Sequence, residues 1–188
     1  MLLLAGGWTA AFAFGTFASH MTAHVIAVAV AAPLLAVTLN CRPALLGVPM
    51  ATLMACGVEL VVVWGWHVPW MHAAAAHSIV VFAAEQLCFL LAGYAVWASA
   101  LPAAARSRQS ALPGVGALLV TSMHMTLLGG LLAVSSRAWY HHQAANALWD
   151  QHLGGVIMLA VGGMAYLGGA LVLLARALSQ RSGWRPAP

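Results

Sequence analysis

The chain has 188 residues, is 63% hydrophobic and only 5% charged, and carries a formal net charge of +4. A soluble domain carries about 25% charged residues, so this composition cannot cover a water-facing surface. The seven arginines are too few and too scattered for a nucleic-acid surface, and no H-E-x-x-H, G-x-S-x-G or Walker loop occurs. The expectation is therefore an all-α, polytopic membrane helix bundle. It forms a single transmembrane domain over residues 1–188 and is not an enzyme. A membrane barrel would show short alternating segments, which are absent.

A span needs about 20 mostly apolar residues, and six candidates follow in chain order: roughly 1–16, 18–38, 44–65, 77–100, 113–134 and 151–178. No basic segment precedes the first, and its apolar character runs on without a break, so it reads as a short span rather than a signal peptide. The second contains Ser19-His20-Met21-Thr22-Ala23-His24 inside a stretch with no charge before Arg42. Ionisable groups within spans are rare and usually functional. The i, i+4 spacing puts both imidazoles on one helical face, about 6 Å apart along the axis. Met21 is out of phase with both rings and reads as packing.

The third span carries Glu59 and ends in Trp64-Gly65-Trp66-His67-Val68-Pro69-Trp70. An interfacial aromatic belt accounts for the tryptophans but not for His67 beside a proline turn. His72 and His77 follow in the connecting loop. Glu85 lies about two turns into the fourth span, on the face of His77 and Val81. The fifth contains Met123-His124-Met125; neighbours on a helix point in different directions, so the three cannot converge, and the methionines read as packing. Trp149-Asp150-Gln151-His152 opens the sixth, where Asp150 either caps the helix or orients a ligand histidine. The pairs Gly154-Gly155, Gly162-Gly163 and Gly168-Gly169 favour close helix packing. Cys41, Cys56 and Cys88 are isolated and read as small core residues.

Alternation of the spans puts Arg42, Arg106, Arg108, Arg176, Arg181 and Arg185 on one side and Arg137 on the other. By the positive-inside rule the first side is cytoplasmic, as are both termini. Eight of the nine histidines then lie at or near the outer face, with His124 near mid-membrane. The metal-ligand candidates are His20, His24, His67, His124 and His152, with His72 and His77 as outer ligands. Glu85, Asp150 and Glu59 would orient rings or balance charge. Histidine with methionine nearby suits copper(I). A haem held between facing histidines such as His24 and His124 is the alternative. An accessory subunit with an interfacial histidine set is a third, and a homo-oligomer stays open.

Three blocks make the chain resemble the caa3-type CtaG family of cytochrome c oxidase assembly factors: His20-Met21-x-x-His24 running to Ala32-Pro33-Leu34-Leu35; Trp66-His67-x-Pro69 with Glu85-x-x-x-Phe89 and Gly93…Trp97; and Asp150-Gln151-x-x-Gly154-Gly155-x-x-Met158. The resemblance implies a protein of the bacterial inner membrane that partners haem–copper oxidase subunits and handles copper for their metal centres. The chain departs from the family pattern at Phe82 and Gln86, where histidine is frequent, and at His72, where tyrosine is usual.

Overall fold

Hydrocarbon offers no hydrogen-bond partners, so an apolar segment must satisfy its backbone internally, and these segments do so as helices. In the computed structural model, the described residues are 8, 11–13, 15–39, 48–104, 108–140 and 146–179. Five helices among them are long and apolar enough to cross a membrane. They are α1 (Phe17–Leu39), α2 (Val48–Trp66), α4 (Ile79–Ala104), α5 (Arg108–Val134) and α6 (Ala147–Ser179). A short helix, α3 (Pro69–His77), joins α2 to α4. The expected span at 1–16 falls mostly outside the described residues, as do Cys41, Arg42, Arg106, His141, His142, Arg181 and Arg185.

The loop expected between the third and fourth spans is in fact α3. Val68 is extended (φ −64°, ψ 131°), as a residue before proline prefers. Pro69, with no N–H to leave unsatisfied, then starts a new helix.

α1 is interrupted after His24 by a wide turn at Ala27–Ala31, in which the Ala32 N–H reaches back five residues to the Ala27 carbonyl. Pro33 explains it: in a regular helix its ring would press on the Ala29 carbonyl and offer it no N–H, which the wider register relieves. In that register the donor to Val28 O would be residue 33, which has no N–H. The Trp97 indole N–H donates to Val28 O instead, at 3.2 Å. α6 has a similar wide turn at Met158–Gly163.

α5 packs against α2, α4 and α6, while α1 lies against α4 and α6. α5 and α6 meet backbone to backbone. A Cβ on Gly129 would stand 2.8 Å from Gly155 O, and one on Gly155 2.6 Å from Ala133 N. A Cβ on Gly154 would strike the Phe17 ring and stand 2.9 Å from Met21 Cγ. Gly154 therefore opens the space in which the start of α1 seats its side chains. Val37, Leu53, Val61, Val80, Leu91, Met123 and Leu127 face outward, where lipid replaces water as their solvent.

Candidate metal centre

His20 and His24 point from α1 toward α4, both at least 95% buried, and meet Glu85, which is fully buried. His20 Nε2 lies 2.8 Å from Glu85 Oε2, and His24 Nε2 stands 3.6 Å from Glu85 Oε1. One nitrogen from each ring and a carboxylate oxygen fall within 4.8 Å of one another. Ligand atoms around one tetrahedral ion stand roughly 3.3 Å apart, so small rotamer changes would close these three donors on a metal. Two of the buried atoms, His24 Nε2 and Glu85 Oε1, have no hydrogen-bond partner. Leaving such groups unsatisfied is costly, and a cation between them would remove the cost.

Gln86 sets the state of His24. Its Nε2 lies 2.7 Å from His24 Nδ1, while its own Oε1 is buried without a partner. An amide nitrogen donates, which makes Nδ1 the acceptor and puts the ring proton on Nε2. Rotating the amide by half a turn presents Oε1 to an Nδ1–H and frees the Nε2 lone pair for a metal. A second partner that fixes the tautomer is a regular feature of ligand histidines.

His67 is placed by the break between α2 and α3 and is 5% exposed. Its Nδ1 is 2.6 Å from Val63 O. A carbonyl only accepts, so Nδ1 carries the proton. Burial pushes the His67 ring down to about 4, against the raising effect of that carbonyl. The His67 ring centroid is 5.7 Å from that of His24, edge to face, and the Tyr140 hydroxyl donates to His67 O at 2.6 Å.

The remaining histidines are distributed around this group. The His72 ring, 1% exposed, packs at 4.1 Å from that of His20 and 4.6 Å from that of Tyr140. His72, His77, Trp70, Trp139 and Tyr140 line a surface cavity of about 300 Å³. His77 is exposed at the end of α3, and Glu85 turns to His20 rather than to His77. His152 Nε2 donates to Ser135 O at 2.7 Å. His124 is buried with both ring nitrogens lacking a hydrogen bond. Among the described residues, neither His124 nor His152 belongs to the three-residue donor group.

Two acids expected to serve these rings do other things. Asp150 accepts from the backbone N–H groups of Phe17 (2.6 Å) and Ala18 (3.1 Å), so it caps α1 rather than its own helix. Asn146 caps α6, accepting from Trp149 N at 3.1 Å. Glu59 accepts from Thr121 Oγ1 at 3.1 Å and, through its other oxygen, from the Tyr166 hydroxyl.

Local periodicity did not single out Gln86, Tyr140 or Met21 as neighbours of these rings. Met21 Sδ lies 3.4 Å from His67 Nε2. Met21 is three residues before His24, only about 60° away around the helix, and the two line one small cavity, so Met21 does not simply turn away from the rings. The His67 ring it meets comes from the break between α2 and α3. Gln86 was visible as a departure from the family pattern; its distance from His24 was not.

The chain matches the cytochrome c oxidase caa3 assembly factor family (Caa3_CtaG) over residues 1–180 and belongs to it. No curated protein and no solved structure matches the chain.

Proposed function

We propose that this membrane-embedded assembly factor binds copper at His20, His24 and Glu85 and passes it to a haem–copper oxidase, without catalysing a reaction of its own. The observation that supports this best is the buried pair His24 Nε2 and Glu85 Oε1, 3.6 Å apart and neither of them hydrogen-bonded. Two imidazoles suit copper and the carboxylate is a hard donor; three such ligands hold the ion by few bonds, suited to a cargo that must leave again. The cavity lined by His72 and His77 opens beside His20 and offers the metal a way in. Arg176 lies at the opposite end of the bundle from that cavity, which supports a histidine end facing outward from a bacterial inner membrane.

A haem on His24 fits poorly. The ring is packed against His20, His67 and Phe89 at centroid distances of 4.6, 5.7 and 4.1 Å, and the internal cavity beside it measures only about 10 Å³.

The test is elemental analysis of anaerobically purified protein, wild type beside the double variant His20→Ala/His24→Ala. Loss of one copper equivalent in the variant is expected. Full copper content in the variant, or a Soret band in the purified wild type, would overturn the reading.

A further inference from the structure

Below the His20/His24/Glu85 group is a small chamber of about 10 Å³, lined by Met21, His24, His67, Phe89, Met125 and Met158. That volume is about one water-sized sphere. Met21, Met125 and Met158 are at most 4% exposed and come from three helices, α1, α5 and α6. Methionine is a common core filler, but packing does not explain what Met21 faces. His67 Nε2 lies 3.4 Å from Met21 Sδ. With Nδ1 committed as donor to Val63 O at 2.6 Å, a neutral ring has only a lone pair at Nε2. A thioether sulfur likewise only accepts. Two acceptors therefore face each other at contact distance with no proton between them. Protonating the ring would supply one, at the cost of a buried, unpaired charge.

We infer that His67 Nε2 and Met21 Sδ, with the Met125 and Met158 thioethers across the chamber, form a second metal site, selective for a soft monovalent cation such as Cu(I) or Ag(I). Thioether and imidazole donors without a carboxylate select such ions over harder divalent ones. An ion about 2.0 Å from the nitrogen and about 2.3 Å from the sulfur would subtend roughly 100° at their observed separation, near the tetrahedral angle. The Val63 carbonyl holds the tautomer that presents Nε2, as the outer partner of a ligand histidine does. The site deepens the copper reading and rests on it only for the identity of the biological metal. Its geometry is independent of Glu85. His24 borders both sites, so the two would lie in series along the bundle.

The experiment uses the full chain in detergent, its accessible thiols first alkylated, titrated separately with Ag(I) and Co(II) and read by equilibrium dialysis with elemental analysis. The conservative variant Met21→Leu/Met125→Leu/Met158→Leu is expected to lose one bound Ag(I) equivalent while keeping Co(II). Glu85→Gln is expected to lose Co(II) and keep that Ag(I). Undiminished Ag(I) binding in the methionine variant would overturn the second site alone. Failure of the wild type to bind Co(II) would count against the His20/His24/Glu85 site instead. Selenomethionine-labelled wild type loaded with Cu(I) gives a readout free of folding effects. X-ray absorption at the copper edge should show a selenium neighbour, and a shell of nitrogen and oxygen alone would refute the proposal.

Discussion

Glu59 and Glu85 are the same residue type, both fully buried in helices that cross the bundle, and their surroundings differ in one respect. Around Glu59 each carboxylate oxygen receives a hydroxyl, from Thr121 on α5 and Tyr166 on α6. The result is a closed polar knot that ties α2, α5 and α6 together. Around Glu85 one oxygen meets His20, and the other stands 3.6 Å from His24 with no hydrogen bond. A satisfied buried carboxylate belongs to the frame. One left a donor short beside two imidazoles is where the proposed copper would bind. The third acid, Asp150, belongs with Glu59, because both its oxygens are taken by backbone N–H groups.

Each acid can be tested by breaking it. Glu59→Ala strands two buried hydroxyls and should cost about 2–4 kcal/mol of unfolding stability, measured by denaturant titration in detergent, with metal stoichiometry unchanged in the folded fraction. Glu85→Gln should do the reverse, losing Co(II) binding, with an affinity drop larger than the roughly 10–100-fold that removing an outer partner of a metal ligand costs. Its thermal midpoint should be no lower than that of the wild type. If Glu59→Ala abolishes metal binding in folded protein, or Glu85→Gln mainly unfolds it, the contrast fails. Asp150→Asn removes the charge from the α1 cap and should cost about 1 kcal/mol in the same denaturant assay, marking it as frame. Smallest is Tyr140→Phe, which deletes the hydroxyl bonded to His67 O. It should lose about 1 kcal/mol or less and shift Co(II) affinity by less than twofold in dialysis.

The apolar runs of the sequence fall on five long helices that are apolar enough to cross a membrane, Phe17–Leu39, Pro49–Trp66, Ile79–Leu101, Ala111–Val134 and Ala147–Ser179, because an apolar run of that length folds as a helix. Spacing within a helix was equally legible: His20 and His24 do share a face, with ring centroids 4.6 Å apart. Contacts between helices were not. Nothing local says that Asp150 reaches the start of α1, 133 residues away in sequence from Phe17, or that Met21 meets His67. Pairings of this kind depend on how the helices pack, and neither periodicity nor composition carries that. The Ala-rich stretch behind Pro69 is too short for a span, so hydropathy does not mark it, although proline in the first helical turn ahead of alanines is a sound helix start.

The wide turn at Ala27–Ala31 holds one residue more than a regular helix of the same rise needs. Each helical residue turns the chain by about 100°, and the wide turn absorbs that rotation, so the half of α1 that bears the imidazoles and the half beyond Pro33 keep the register of a regular helix one residue shorter. Insertions, more than deletions, are what this segment is sensitive to. Loss of a single residue between His24 and Pro33 would close the wide turn and leave both rings on Glu85, whereas one more residue has no such slack and would swing both rings by about 100° off it. The length of α1 is thus as much a part of the site as the identity of its histidines.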